Sequence, residues 1–236
     1  MKTKTINQHK ICIMKIIQLF LCFSFLLLPV IIFGQANSLE VGICGGSGMR
    51  ILTGNSIDKN HSEPAVGYHI GGTIQYHFTE NFSLRTDPGF EQKGITDYIV
   101  FTDNVGNEIG HLKSQNNLNY IVLPVMGQLC FGNRIAFTLH AGAFAGYLIR
   151  NNLKMPAIET NPEQKFDITG SDKRFDMGLA GGFGCQFPVK DNFSIFLDAR
   201  INAGIFNIAS SSSLFEPIHT NSLNLTMGIK YRFARE

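Results

Sequence analysis

The most constraining feature of this chain is a strict alternation of apolar and polar residues over positions 222–233. The apolar members are Leu223, Leu225, Met227, Ile229, Tyr231 and Phe233. A period of two predicts a β-strand with one apolar and one polar face. Because the stretch is too long and too regular for an ordinary edge strand, we interpret it as the closing strand of a transmembrane β-barrel.

The N-terminus has the pattern of a cleavable signal peptide. Four lysines precede an apolar run over residues 16–33, and small residues lead to a cleavage site after Ala36. Met14 is an alternative start, since Met14 and the lysine after it would open a signal peptide of ordinary length. An uncleaved membrane anchor is the alternative reading of the run, but Pro29 and the small-residue exit favour cleavage.

The predicted domains are therefore a signal peptide, residues 1–36, and an outer-membrane β-barrel, residues 37–236. The formal charge of +2 includes the four signal lysines, so the remainder carries −2, which argues against a nucleic-acid partner. Cys44, Cys130 and Cys185 remain after cleavage, and no pair has metal-ligand spacing. We interpret them as small strand residues and expect no cofactor and no metal site.

Alternating patterns predict eight strands joined by connections that are alternately long and short. The predicted strands cover residues 39–48, 66–78, 82–93, 118–131, 134–150, 174–187, 192–206 and 222–233. The long polar connections cover residues 49–65, 94–117, 151–173 and 207–221. Short turns at one end and long loops at the other are typical of outer-membrane barrels, with the turns periplasmic. The fourth strand is apolar on both faces, and Pro124 within it predicts a bulge.

The distribution of charge distinguishes a membrane barrel from a soluble one. No strand carries Lys, Arg, Asp or Glu on its apolar face, where a Lys or Arg at mid-bilayer would cost about 2–4 kcal/mol. The opposite parity holds Glu40, Arg85, Asp87, Glu91, Lys93, Arg174, Asp176, Asp198, Arg200, Lys230 and Arg232. We therefore predict that the apolar face meets lipid and that the nearly balanced charges form a paired polar plug. A soluble secreted barrel or sandwich is the alternative.

Aromatic residues and glycines fit the same interpretation. Aromatics cluster beside the short turns, as a periplasmic girdle would require: Tyr76, Phe78, Phe82, Phe131, Phe137, Phe187, Phe193, Tyr231 and Phe233. Glycines on the inward parity leave room for long charged side chains in a narrow bore: Gly67, Gly71, Gly142, Gly146, Gly178, Gly182 and Gly184.

Residue patterns that would support catalysis are generic in this chain. The strand histidines lie on the inward parity: His69, His77 and His140. Inward carboxylates could act as acids or bases, but structural ion pairs are the simpler interpretation for Asp87, Glu91, Asp176 and Asp198. Asp58, His61 and Glu63 could bind a metal, although their spacing is not specific. Phosphate loops, nucleophile elbows and zinc motifs do not occur, so we expect no enzyme.

Several stretches resemble the PorT-like outer-membrane β-barrel family: "NYIVLPVMGQLCFG", "FTLHAGAFAGYL", "FDMGLAGGFGCQF", "NFSIFLDARINAG" and "LNLTMGIKYRF". The resemblance covers nearly all of the chain after the signal peptide. It implies an eight-stranded outer-membrane barrel of a Gram-negative cell and supplies no catalytic motif. The founding member of the family is linked to protein secretion. One departure is the "ARE" that follows Phe233, because outer-membrane barrels often end on the aromatic residue itself.

Three functions remain open from the sequence. The first is a structural or adhesive barrel whose long loops bind something outside the cell. The second is an accessory to a secretion or transport machine, and the third is a small lipid-modifying enzyme. The expected partners are outer-membrane lipid together with secretion proteins or extracellular ligands of the long loops. We expect localisation in the outer membrane.

Overall fold

A computed structural model describes residues 38–54, 62–102, 105, 108–132, 134–157, 163–190, 192–209 and 217–233. Eleven β-strands and one short 3-10 turn, Thr169–Ser171, make up this part of the chain. The strands are β1 Ser38–Thr53, β2 Ser62–Glu63, β3 Ala65–His77, β4 Phe82–Thr86, β5 Gly89–Thr102, β6 Glu108–Phe131, β7 Ala136–Met155, β8 Gln164–Asp167, β9 Phe175–Lys190, β10 Phe193–Gly204 and β11 His219–Phe233. In the described residues no helix is long and apolar enough to cross a membrane. The predicted signal peptide lies outside this range and stays a prediction.

The strands form one antiparallel sheet that closes on itself. β1 pairs with β11 from Leu39↔Phe233 to Thr53↔His219, and this pairing is the seam of the barrel. The wall then runs through β3, β4 with β5, β6, β7, β9, β10 and back to β11. The predicted count of eight matches these wall positions, while the described chain holds eleven strand segments.

The predicted third strand, residues 82–93, is in fact two segments. β4 ends at Thr86 and β5 begins at Gly89, and Asp87 and Pro88 lie between them. Proline has no N–H to donate to a ladder; its carbonyl oxygen accepts from Gly72 N at 2.9 Å instead. Asp87 keeps the inward parity of Arg85 and Glu91 across the break, and its side chain is almost fully buried in the bore.

The bulge predicted at Pro124 is wrong. Pro124 pairs in register with Phe144, and the register shift between β6 and β7 falls at Asn119 and Tyr120. On its other side Pro124 lies between Val122, which pairs with β5, and Val125, which pairs with β4. Pro124 therefore lies opposite the break between β4 and β5, where the neighbouring strand offers no ladder hydrogen bond. A residue without an N–H is tolerated at such a position.

All four predicted long connections contain strand, including 207–221, in which β11 begins at His219. Residues 94–117 include the end of β5 and the start of β6, and residues 151–173 include the end of β7 and all of β8. β1 likewise continues to Thr53, inside the predicted connection 49–65. β6 has 24 residues and β7 has 20, whereas about 9–11 tilted residues span a bilayer. The extra length extends the wall well beyond the membrane.

The predicted assignment of faces is confirmed. Leu225 is 62% exposed on the outer surface, while its neighbour Thr226 is 6% exposed and faces the bore. The same contrast recurs on other strands, since Ile43, Val66 and Phe183 are largely exposed. An apolar outer wall around a buried polar interior is the arrangement that a lipid environment requires.

Aromatic rings mark both edges of the apolar wall. At the short-turn end, Tyr76 packs on Phe78 with ring centroids 4.9 Å apart, and Phe193 packs on Tyr231 at 4.9 Å. These residues belong to the predicted periplasmic girdle. At the other end the rings pair as Tyr68 with Phe90 and Tyr147 with Phe175. The two levels bracket the membrane-spanning part of the barrel.

Candidate functional site

The bore is filled by buried charges that balance in number. Five cations and five carboxylates of the described residues are buried: Arg50, Arg85, Lys93, Arg200 and Lys230 with Glu40, Asp87, Glu91, Asp176 and Asp198. Equal numbers of opposite charges can neutralise each other where water is excluded. The arrangement is that of the predicted paired plug, except that Arg174 and Arg232, at strand ends, are exposed to solvent.

The centre of the plug joins opposite walls of the barrel. Arg85 donates from Nε to Asp87 Oδ1 at 3.0 Å and from Nη1 to Asp198 Oδ1 at 3.1 Å. Arg200, on β10, donates from Nη1 to Asp87 Oδ2 at 2.7 Å. The two arginines and two aspartates thus form a connected cross-barrel network, and Asp87 reaches it from the break between β4 and β5.

A second pair lies nearer the long-loop end. Lys93 Nζ is 2.9 Å from Asp176 Oδ2, and both side chains are fully buried. Thr220 accepts from Lys93 at 3.0 Å and donates to Asp176 at 2.5 Å. Glu91 has no lysine or arginine in salt-bridge range among the described residues; it accepts from Ser222 Oγ at 2.6 Å and from Asn202 Nδ2 at 2.9 Å.

Arg50 is a buried cation that the sequence placed in a loop. Its Nη1 donates to the Lys93 carbonyl oxygen at 2.7 Å, and its Nη2 donates to Asn117 Oδ1 at 2.5 Å. The side chain crosses Gly67, where a Cβ would contact Arg50 Cδ at 3.0 Å. Arg50 therefore links β1 to β5 and β6, using neutral oxygens instead of a carboxylate.

An apolar cluster also occupies the bore, which the sequence predicted to be polar. It consists of Leu52, Ile95, Leu118, Tyr120, Val122, Met126, Phe144, Leu148, Ala180 and Ile208. Most of these residues come from the inner faces of β6 and β7. Lys93 Nζ lies 4.1 Å from the centroid of the Phe144 ring, so the charged and apolar parts of the filling meet there. The fourth predicted strand is apolar on both faces. Its pattern therefore could not show that one of these apolar faces lies inside the barrel and fills the bore.

The short-turn end of the bore opens into a polar cavity of about 320 Å³. Glu40 lies at its floor, 2.6 Å from Arg232 Nη2, 3.1 Å from Lys230 Nζ and 3.3 Å from His77 Nε2. The carboxylate belongs to β1 and both stronger cations belong to β11. This cluster therefore spans the seam of the barrel.

The predicted inward histidines lie in the bore. His69 Nδ1 is 3.9 Å from Glu91, and His140 Nδ1 is 3.6 Å from Asp198. Their neighbours are the same carboxylates that hold the plug together. The three cysteines of the described chain are free thiols on separate strands, in agreement with their interpretation as strand residues.

Of the three residues considered for a metal, Asp58 and His61 lie outside the described residues. Glu63 Oε2 accepts a hydrogen bond from Tyr98 Oη at 2.9 Å, which raises the pKa of Tyr98. Within the part of the chain that the structure describes, no group of three His, Cys, Asp or Glu side chains could hold a metal ion.

The strands that continue beyond the upper aromatic level form a separate surface. We call residues 94–102, 108–117, 150–155 and 164–167 the extracellular platform. Its rows run across four strands, as in Thr96↔Gln115, Gln115↔Lys154 and Lys154↔Lys165. Short turns face the periplasm in outer-membrane barrels, and this rule predicts that the platform stands on the outside of the cell.

The platform is polar, with isolated exposed aromatic rings. Phe101 and Phe166 are each almost half exposed, and Lys113 Nζ lies 6.0 Å from the Tyr98 ring centroid. Arg150 Nε is 3.1 Å from Asp167 Oδ2 in an exposed pair. Hydrogen bonds from the Thr169 hydroxyl and backbone N–H, followed by the Arg150 contact, lower the pKa of Asp167. Aromatic rings among hydrogen-bonding groups are typical of surfaces that bind other molecules.

A closed antiparallel barrel with an apolar outer wall, two aromatic levels and a filled polar bore defines an integral outer-membrane protein. The model of the outer membrane protein β-barrel domain family matches residues 33–210. The chain belongs to that family and is an outer-membrane protein.

Several solved structures are similar to this chain. A major outer membrane protein from Thermus thermophilus is 12% identical, with a TM-score of 0.49 over 83% of this chain and 99% of that one. OprG from Pseudomonas aeruginosa is 11% identical, with a TM-score of 0.46 over 86% and 98%. Ail of Yersinia pestis is 17% identical, with a TM-score of 0.39 over 83% and 99%. No curated protein sequence matches the chain significantly.

Proposed function

We propose that the chain is a non-conducting, non-catalytic surface protein, in which a filled barrel anchors a rigid platform that contacts partners outside the cell. The platform itself carries this proposal. Strand pairing continues through it from Gly94↔Asn117 to Phe101↔Gly110, so the surface is held by backbone hydrogen bonds. A rigid surface loses little conformational entropy on binding.

The filling of the bore supports the non-conducting half of the proposal. The Arg85–Asp87 pair lies at the centre of the bore, and the Lys93–Asp176 pair lies nearer the platform, with the apolar cluster beside them. Eight wall strands enclose only enough space for such side chains. The barrel is therefore suited to anchoring and not to passage of solutes.

Trimming the platform tests the proposal. Replacing residues 97–114 by an Asn-Gly turn would join Thr96 to Gln115, which already lie opposite each other. Cells with the trimmed barrel should lose attachment to protein-coated surfaces and cell–cell aggregation, while its boiled and unboiled mobilities stay those of a folded barrel. Equal attachment by full-length and trimmed proteins would contradict the proposal. A Lys190→Gln variant, altered at the periplasmic end, is the control and should attach normally.

The PorT-like resemblance supports a second candidate, an accessory role in a secretion machine. Such a role would place the partner contact at the periplasmic end, where the 320 Å³ cavity opens. A photo-crosslinking residue at position 98 and another at position 190 separate the two candidates in one experiment. Crosslinks to extracellular molecules from position 98 favour the surface role. A stoichiometric crosslink to one envelope protein from position 190 favours the accessory role.

A further inference from the structure

The polar cavity at the short-turn end of the bore has the size of a site for a small ligand. We call it the mouth cavity. Its volume of about 320 Å³ is at the lower end of the range for small-molecule sites, which begins near roughly 300 Å³. The charged and hydroxyl or amide groups that line it include Glu40, Glu80, Arg134, Gln186, Ser194 and Arg232.

The floor of the mouth cavity offers hydrogen-bond donors. Glu40 is buried there, and it is already neutralised by Arg232 Nη2 at 2.6 Å and Lys230 Nζ at 3.1 Å. Arg232 uses Nε and Nη2 for this contact, and its Nη1 has no acceptor in the described part of the chain. Ser194 Oγ accepts from Gln186 Nε2 at 2.8 Å. The Ser194 hydroxyl hydrogen therefore stays available for another acceptor.

Two opposite charges lie at the rim of the mouth cavity. Arg134 and Glu80 are exposed, and neither forms a salt bridge with a described residue. The turns that carry them are tied together, since Cys130 N donates to Asn81 O at 2.8 Å and Asn81 Nδ2 donates to Cys130 O at 2.9 Å. Gly132 has a φ of 106°, a conformation that glycine adopts readily. The backbone around Arg134 is therefore fixed beside the turn that carries Glu80.

These groups match a ligand that has both an acidic and a basic group. Guanidinium groups such as those of Arg134 and Arg232 bind carboxylates through paired hydrogen bonds. The exposed carboxylate of Glu80 accepts from an ammonium group. A simple anion or a simple cation would use only one of these two features. An α-amino-carboxylate group uses both, because its carboxylate and ammonium are held on one carbon atom.

We propose that the mouth cavity binds the α-amino-carboxylate group of a periplasmic ligand. Arg134 and Arg232 bind the carboxylate, Ser194 donates to it, and Glu80 accepts from the ammonium group. The rule for short turns places this end of the barrel in the periplasm. Free amino acids carry the group, and so do cell-wall peptides whose diamino acid keeps one amino-carboxylate end free. The site does not depend on the platform, because the two lie at opposite ends of the barrel.

Isothermal titration calorimetry of the folded full-length barrel in detergent tests the chemistry of the ligand, with alanine as the probe. Propionate lacks the ammonium group and ethylamine lacks the carboxylate. Both should bind about tenfold more weakly than alanine. If propionate or ethylamine binds as tightly as alanine, the cavity does not recognise the zwitterionic group.

Single variants assign the two halves of the site. Arg134→Gln should weaken both alanine and propionate about tenfold. Glu80→Gln should weaken alanine about tenfold without weakening propionate, because only the ammonium contact is lost. Lys190→Gln is the matched control: it removes one charge from an exposed residue at the same end, outside the lining, and should stay within about twofold. Equal losses in Arg134→Gln and Lys190→Gln, or no loss in either, would overturn the site.

Boiled and unboiled mobilities should show that all three variants fold, since each changes an exposed side chain. A cell-wall tripeptide that ends in a diamino acid then identifies the source of the ligand. Binding about tenfold tighter than that of alanine assigns the site to the cell wall, and equal binding assigns it to free amino acids.

A truncated barrel that lacks residues 234–236 tests whether the end of the chain competes for the cavity. Alanine binding should stay within about twofold of that of the full-length barrel. If alanine binds only after the truncation, the chain itself occupies the mouth cavity and the proposal is wrong.

Discussion

Breaking the buried pair of Lys93 and Asp176 should destabilise the barrel strongly. Lys93→Met keeps the stem of the side chain among the rings of Phe144 and Tyr120. It leaves the Asp176 carboxylate buried, with the Thr220 hydroxyl still donating to it but no cation beside it in this network. Removing one member of a buried pair typically costs about 3–5 kcal/mol, because the other charge is left without compensation.

Reversible urea unfolding in detergent micelles, followed by far-ultraviolet circular dichroism, measures this loss. The double variant Lys93→Met with Asp176→Leu should recover most of the lost stability, because replacing both charges by apolar groups is often neutral or favourable. Arg150→Met is the matched control. It breaks the Arg150–Asp167 pair, whose side chains are 61% and 50% exposed, and water screens such a pair effectively.

Two results would refute the reasoning. If Lys93→Met costs no more than Arg150→Met, the bore is hydrated and the pair is not isolated from water. If the double variant is as unstable as Lys93→Met alone, the loss comes from packing around the lysine stem and not from the unpaired carboxylate.

Three other predictions test the membrane fold. Leu225→Arg places a charge on the lipid-facing wall and should cost about 2–4 kcal/mol near the midplane. Thr226→Arg places its charge in the bore beside Asp198 and should impair folding in lipid vesicles less. If Thr226→Arg impairs folding more, the assignment of the lipid-facing and inner faces is wrong. In planar bilayers the protein should show little steady conductance, and large stable ohmic steps would contradict a filled bore. On detergent gels unboiled and boiled samples should migrate differently, and recovery as a soluble protein with no shift would refute the membrane location.

The lipid-facing wall could be predicted from the sequence because membrane insertion imposes a simple rule on it. Every outward residue between the aromatic levels meets hydrocarbon, so the alternation around Leu225 and Thr226 remains unbroken and determines both faces. The buried charges follow from the same parity. Their general pairing was therefore predictable, although the particular partners, such as Arg85 with Asp87 and Asp198, depend on the width and stagger of the barrel.

The platform could not be predicted in the same way. In the platform the buried positions are polar as well, as Ser114 and Asn117 show, so this stretch has no apolar period and resembles a loop. Arg50 was missed because it is a polar residue just past the last clear alternation of β1, although its side chain is buried. Cross-strand register is also hidden in the sequence: it places Lys154 opposite Gln115 although they are far apart along the chain.

The seam cluster around Glu40 has a consequence for the order of assembly. Arg232 Nε donates to Glu40 across a separation of 192 residues, and Lys230 comes from the same final strand. Contacts between such distant residues form late, because the entropy of closing the intervening chain must be overcome first. Before β11 arrives, a barrel with its other strands in place would hold the Glu40 carboxylate without its two strongest partners. A barrel that lacks β11 is therefore less stable than the closed barrel. Insertion of β11 is the step that completes and stabilises the fold.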